Sequence, residues 1–394
     1  MRRIDLRKVS VARSNTIRDI NRQIVLNYVR EKGPISRADI AKETDLQRST
    51  VSHIVRELTD FNLIKEVFGE SSGGRPPALL TLRSARPVAI GVDLGTVKTT
   101  VGCCDLTGRI IDKVEFFTDR DESRTTELII AAVQSLMTKF PGLIEGIGIS
   151  LPALVDSDNE HILFSPHFTW RDPMIAEQIH ESTSLPVMVE NDANAAALAE
   201  LWFGRLEVRD VRDFILVFIE NGIGTGIVFD GQIYRGPNGV AGEFGHMRIG
   251  TDAPTECATG SRECWEAFAS ERSALTRFAD FAGHSSEDMT FGDLIELAHN
   301  GHKNAIAALK ETARFIGLGM GNLIQGLSPE AIVVGGTIVK AWPLIADDIQ
   351  AASDGVICHG IHQTKILPSS LGSQPGLLGA FSLVLADKFA SISF

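Results

Sequence analysis

The sequence predicts an α/β protein in two parts: a small helical head carrying a β-hairpin, and a larger two-lobed body. Three observations lead there. Residues 1–82 hold 15 Lys/Arg against 10 Asp/Glu, whereas the remainder holds 23 against 40, within a net charge of −12. Apolar residues recur at helical spacing through the head, while short apolar runs alternate with helical stretches in the body. A β-turn-β pattern with glycines at the turn stands near the start of each half of the body, which predicts an internally duplicated architecture.

The 394 residues suffice for two or three domains, and 44% hydrophobic with 22% charged content is ordinary for a globular protein. Apolar runs such as 214–219 are strand-sized, far short of the roughly 20 residues of a membrane helix, so no membrane insertion is expected. The first residues show no secretory leader, and five cysteines with an adjacent pair at Cys103 and Cys104 make no disulfide framework. A cytoplasmic location is expected.

In the head, Ile17, Ile20, Ile24 and Tyr28 predict a helix over 16–31, ended by Gly33-Pro34. Ser36-Arg37-Ala38-Asp39 reads as a capped start for a short helix over 37–43. A third helix over 48–60 buries Val51, Ile54, Val55 and Leu58, leaving Arg48, Ser49, Thr50, Ser52, His53 and Arg56 on the open face. Strand-like runs at 63–68 and 78–82 flank a Gly/Ser/Pro loop with Arg75 at its tip. Three helices and a hairpin make a winged helix-turn-helix. Its third helix suits a major groove, and Arg75 suits a minor groove. The basic balance agrees with DNA as partner, although a solvated surface would show the same charge.

In the body, strands are expected at 88–96, 99–105 and 109–117, with a helix over 127–140. Strands at 146–150 and 187–190 follow, and Asn191-Asp192 leads into a helix over 193–203. The first turn carries Asp93, Gly95 and Thr96. The second half opens with a strand over 214–219, a glycine-rich turn holding Gly222, Gly224 and Gly226, and a strand over 226–229. A long helix over 305–324, a strand over 331–336 and a terminal helix from 377 complete the reading. Between the glycine turn and Glu266 lie Glu243-Phe244-Gly245-His246, Cys257 and Cys264. Two carboxylates and an imidazole behind a glycine loop suit a sugar, since an ionised carboxylate accepts several hydrogen bonds at once.

These motifs resemble the ROK family (repressors, open reading frames and sugar kinases). The matching residues are Asp93-Leu94-Gly95, Glu190-Asn191-Asp192-Ala193-Asn194-Ala195-Ala196, Gly242-Glu243-Phe244-Gly245-His246, Cys257…Cys264-Trp265-Glu266 and Gly376-Leu377-Leu378-Gly379-Ala380. The resemblance implies a two-lobed actin-like, hexokinase-type (ribonuclease H-like) body over 83–394. Lobe 1 would span about 87–193 with 376–394, and lobe 2 about 194–375. It implies that Asn191, Asp192, Glu243, His246 and Glu266 hold the sugar. Asp192 would be the catalytic base in family kinases. From the sequence alone, Asp192 also reads as a helix N-cap.

Four departures from the family's kinases stand out. Thr96 and Val97 replace a glycine and a threonine in the first phosphate hairpin, and Glu220-Asn221 replaces Gly-Thr in the second. Thr337 replaces a glycine in the adenosine loop. Glu220 places negative charge where polyphosphate would lie, so ATP is not expected and Asp192 is read as vestigial. Family members hold a structural zinc with this histidine and three cysteines. Here Thr259 takes the place of the middle cysteine, so a zinc on His246, Cys257 and Cys264 would be weakened, and two buried thiols are the alternative. His167 borders the sugar in relatives and is as well suited to packing.

The sequence therefore predicts a sugar-responsive DNA-binding regulator, a repressor of carbohydrate-utilisation genes. It would bind a sugar or sugar phosphate and read an inverted-repeat operator as a homodimer or larger oligomer. An active ATP-dependent sugar kinase with a DNA-binding head is the rival reading, and a regulator answering to a protein partner the third.

Overall fold

Residues 14–68, 77–84, 86–156, 161–165, 168, 174–209, 211–237, 239–283, 289–355, 364–372 and 374–389 are described in this computed structural model. The wing tip with Arg75 and the loop position of His167 lie outside them. In the head, α1 (Ser14–Lys32) closes on Arg30 and Lys32, cations that suit the negative end of a helix. After β1 (Ile35–Ser36), the Ser36 hydroxyl accepts a bond from Asp39 N at 3.1 Å and starts α2 (Arg37–Thr44). The stripe Val51, Ile54, Val55, Leu58 of α3 (Arg48–Asp60) is buried as its spacing requires. β2 (Ile64–Phe68) and β3 (Ala78–Leu82) pair antiparallel, and β1 adds to the other side of β3.

Two five-stranded sheets form the body, built to one plan. In the first, β4 (Ala89–Leu94), β5 (Lys98–Cys104) and β6 (Ile110–Phe117) form an antiparallel meander. α4 (Glu122–Lys139) follows; it starts earlier than its apolar spacing suggests because Asp121 caps it, accepting from Ser123 N at 2.9 Å. β7 (Gly146–Leu151) runs parallel to β4. A hairpin of β8 (Leu154–Asp156) and β9 (His161–Phe164) and then α5 (Ile175–Thr183) lead to β10 (Val187–Asn191), parallel to β7. α6 (Asp192–Phe203) and α7 (Leu206–Arg209) lead to the second sheet.

There, β11 (Phe214–Ile219), β12 (Ile223–Phe229) and β13 (Gln232–Ile233) repeat the meander. α8 (Trp265–Ala269), α9 (Glu271–Ala282), α10 (Phe291–His299) and α11 (Lys303–Leu327) cover it, with β14 (Ala331–Gly335) parallel to β11. α12 (Trp342–Asp354), β15 (Lys365–Pro368) and α13 (Pro375–Phe389) complete the chain. The orders β10-β7-β4-β5-β6 and β13-β12-β11-β14-β15 show the duplication expected from the two glycine hairpins.

The glycine turn is shorter than expected. β12 begins at Ile223, so Gly224 and Gly226 are strand residues and only 220–222 turn. Both lie under α6: a Cβ on Gly224 would sit 2.8 Å from the Ala193 Cβ, and one on Gly226 2.5 Å from the Ala193 carbonyl oxygen.

α13 lies on β4 and β7, α6 lies on β11 and β12, and the two helices pack against each other. Bare backbone permits this. A Cβ on Gly379 would fall 2.6 Å from the Ala195 carbonyl group, and one on Gly148 would fall 1.9 Å from the Ala380 carbonyl oxygen. The head is not tethered loosely. Val25 and Val29 of α1 join Ile54 and Leu58 of α3, Val88, Leu106, and Phe381 and Val384 of α13 in one apolar cluster. The Arg30 guanidinium lies 4.1 Å over the Trp202 ring in the last turn of α6. No helix among the described residues is long and apolar enough to cross a membrane.

Gly379→Val is expected to destabilise the protein by about 1–3 kcal/mol or more by overpacking this contact. Gly326→Ala, on a helix position with nothing within 4 Å, is the matched control and should be neutral or stabilising in denaturant titrations.

Candidate functional site

The cleft is built around the β10–α6 junction. Asn191 is the N-cap of α6: its Oδ1 accepts from Ala193 N at 3.0 Å and Asn194 N at 3.2 Å, while its Nδ2 donates to Ala153 O at 3.1 Å. Capping thus falls to Asn191, and Asp192 is the first helical residue, its Oδ1 accepting from Ala193 N at 2.8 Å.

Asp192 stands among other carboxylates. Burial and then the Asp192 charge push Asp93, at the end of β4, up to about 7. Gly376 of α13 faces it so closely that a Cβ would sit 2.3 Å from the Asp93 Oδ1. Glu220, directly after β11, is pushed up to about 8 by burial and by Asp192, Glu271 and Asp93. Its side chain still opens to solvent, where screening weakens such effects, so the half-buried Asp93 carries the larger consequence. Glu271 at the start of α9 rises to about 7 through burial, against the Thr337 hydroxyl and Lys340. Thr96 and Val97 lie exposed in the β4–β5 turn; Gly95 fits beneath it, where a Cβ would meet Lys98 O at 2.7 Å.

On the facing side, Gly242 takes φ +99 and turns the chain into a 3₁₀ turn, Glu243–His246. Burial raises the Glu243 carboxyl, His246 opposes this with its Nε2 at 3.9 Å from Oε2, and Glu266 adds to it. Glu266 is buried. Its Oε2 accepts from Ile223 N at 3.3 Å and its Oε1 from Ala258 N at 2.8 Å, so it braces the wall behind the glycine turn. Gly222 leaves room for it: a Cβ there would lie 2.7 Å from Oε2.

Cys257 and Cys264 are brought together, with Sγ atoms 3.2 Å apart, and the Thr259 hydroxyl lies 3.0 Å from Cys257 Sγ. One ligand atom each from His246, Cys257 and Cys264 lies within 4.8 Å of the others, a group able to hold a metal. His246 Nδ1 is buried with no hydrogen-bond partner among the described residues, which fits a metal ligand better than a packed imidazole. Burial raises the Cys264 thiol; at Cys257 burial is outweighed by bonds from Thr259 and Cys264, which bring it down to about 7.

At the other end of the molecule, Arg48, Ser49, Ser52, His53 and Arg56 of α3 are exposed and Thr50 is half-buried. Two of these side chains are engaged within the head: Ser52 Oγ donates to Arg48 O at 2.8 Å, and His53 Nε2 lies 3.1 Å from Glu57. Arg48, Ser49 and Arg56 are left for a groove. Sequence reasoning did not assign Glu190, Arg235 or Glu271. Glu190 stood inside a quoted motif, whereas Arg235 has no local signature.

The fold and cleft define a class: a winged-helix DNA-binding head on a duplicated, kinase-like sugar-binding body. The chain belongs to the ROK family, whose model matches residues 89–387, and a winged helix-turn-helix DNA-binding model matches 18–65. It is 33% identical over 384 residues to the xylose repressor of Bacillus spizizenii, covering 96% of this chain and 98% of that one. The crystal structure of a ROK family transcriptional regulator, a homolog of the E. coli MLC protein, superposes with a TM-score of 0.79 at 27% identity, over 95% of this chain and 98% of that one. The glucokinase of Streptomyces griseus in complex with glucose and AMPPNP superposes with a TM-score of 0.68 at 30% identity, over 75% of this chain and 98% of that one. The regulators thus match along the head as well as the body.

Asp93 has its carboxyl raised on folding, so its contribution to stability is complete below about pH 4 and is lost as pH rises towards about 7. Asp93→Asn should therefore melt progressively higher than the parent as pH rises from about 5 to about 8. A melting difference independent of pH would remove Asp93 from the acidic cluster.

Proposed function

We propose that this protein is a sugar-responsive transcriptional repressor whose kinase-like body senses the sugar without phosphorylating it. One observation carries the reading. The helix capped by Asn191 and begun at Asp192 in the cleft carries Trp202 in its last turn under the head's Arg30, roughly 17 Å away along α6. Sugar binding that favours one arrangement of the lobes shifts α6 against α13, and with it the head docked on both. The ligand acts only through its preference for one conformation. Asn191, Asp192, Glu243, His246 and Glu266 are the proposed sugar contacts. Arg48, Ser49, Arg56 and the wing's Arg75 are the proposed DNA contacts. An inverted-repeat operator then calls for at least a dimer.

The carboxylates around Asp192 oppose further negative charge. The proposed effector is accordingly a free sugar rather than a sugar phosphate, and ATP is not a substrate. D-xylose is the first to test, given the xylose repressor among the relatives. Operator release by sugar, followed by fluorescence anisotropy, should be abolished by Glu243→Ala with sugar-free DNA affinity unchanged. A sugar response equal to the parent's would remove Glu243 from the pocket. Asp192 keeps the kinase reading in play. Asp192-dependent ATP turnover at about 1 per second or faster would replace the repressor reading of the body.

The metal we infer is zinc, held by His246, Cys257 and Cys264, for which an imidazole and two thiolates are suitable donors. When bound, it would tie the Glu243–His246 turn to the start of α8. Purified protein should carry close to one zinc by atomic absorption, and Cys257→Ser should lose it and melt several degrees lower. Thr259→Cys, next to Cys257 Sγ, should slow chelator stripping by completing four ligands. Equal stripping rates would place Thr259 outside the site.

A further inference from the structure

The proposed sugar contacts come from two parts of the chain. Asn191 ends β10, the edge strand of the first sheet, with Asp192 directly after it, and Glu243 and His246 follow β13, the edge strand of the second. An ion pair joins these edges. Arg235, two residues beyond β13, directs Nε and Nη2 to Glu190 Oε2, each at 2.6 Å. Glu190 is buried, with a side chain only 6% exposed. Its Oε1 accepts from Asn191 N at 3.0 Å and Asn194 Nδ2 at 3.1 Å, so the carboxylate that holds Arg235 also holds the Asn191-Asp192 corner.

Arg235 is tied equally closely to the other contacts. Its carbonyl oxygen accepts from Ala241 N at 3.0 Å, and Gly239, at φ +74, lies so near Val155 that a Cβ would meet the carbonyl oxygen at 2.3 Å. The Thr225 hydroxyl bonds the Gly242 carbonyl, and Glu243 follows directly. The segment from Arg235 to Glu243 is thus held against Glu190 and β8 at one end and against β12 at the other. A buried carboxylate deprived of its cation is strongly unfavourable, so the pair is either made or the corner rearranges. Lysine replaces the planar fork only in part, because it is a single point charge.

We propose that Arg235 is a positioning residue: by pairing with Glu190 it places Glu243 and His246 opposite Asn191 and Asp192, so that the two halves of the sugar pocket meet. The proposal rests on the pocket assigned above. It explains why Glu190 is a carboxylate although its buried position would favour an apolar side chain.

Full-length Arg235→Met, Arg235→Lys and parent protein would be compared by hydrogen–deuterium exchange without sugar, and by operator release with D-xylose and D-glucose. Arg235→Met should exchange amides of 239–246 about tenfold faster, with those of 191–194 at the Glu190 corner also faster and the rest of the body unchanged. It should need about tenfold more sugar for half release at unchanged sugar-free DNA affinity, and Arg235→Lys should recover most of that loss. Unchanged exchange at 239–246 overturns the positioning role whatever the sugar result. Faster exchange with an unaltered sugar response makes the pair merely structural. A parent protein that responds to neither sugar nor to any of a panel of free sugars refutes the pocket reading and this role with it, and the exchange data distinguish that outcome from failure of the Arg235–Glu190 pair.

Discussion

The close approach of α6 and α13 is the constraint on which the rest of this molecule depends. Each helix lies on one sheet, and they touch each other where Gly379 meets the Ala195 backbone. The cleft opens at one end of this pair, where Asn191, Asp192 and Gly376 stand. The head sits at the other, on Trp202, Phe381 and Val384. Any change in how the lobes meet passes through a contact with no side-chain slack. Packed interiors respond to that by switching arrangement rather than by deforming smoothly. A repressor needs this property, since a sugar has to be felt by a helix that never touches it.

Electrostatics divides the cleft by function. Burial raises Asp93, Glu220 and Glu271 on one side of it; Asp192 adds to the rise at Asp93, and Asp192, Glu271 and Asp93 add to it at Glu220. A triphosphate would find carboxylates there and a β4–β5 turn carrying exposed Thr96 and Val97. On the proposed sugar side, Glu243 remains open to the cleft while Glu266 accepts from Ile223 N and Ala258 N. The two acidic residues that looked alike in sequence therefore differ in setting: Glu243 is exposed, and Glu266 is buried and braces the wall in addition to its proposed sugar contact.

Much of this was legible without coordinates. The stripe on α3, the cap at Ser36, the paired glycine hairpins and the Asn191-Asp192 junction rest on interactions within a few residues, and such patterns read directly. The β8–β9 hairpin, α5, α8 to α10, α12 and β15 were not anticipated. The strands and α8 are short, and α8, buried all round with only five residues, has no polar face to set a period; α9 and α12 are as long as α6 and α3, so length does not account for them. Gly224 and Gly226 were read as turn residues because glycine marks turns more often than helix–strand contacts. Only the position of α6 shows that they make room for Ala193.

The sequence by itself determined the parts: a basic winged head, a duplicated α/β body, and the Asn191, Asp192, Glu243 and His246 that suit a sugar. Periodicity, capping and turn chemistry act over a handful of residues, so the chain carries them openly. Tertiary structure decided what those parts do to each other. It assigned the cap to Asn191 rather than Asp192, gathered His246, Cys257 and Cys264, and coupled Asp93 to Asp192 across 99 positions. It also set Arg235 on Glu190, 45 residues away. Coulomb forces and close packing depend on distance in space, and that distance exists only once the chain has folded.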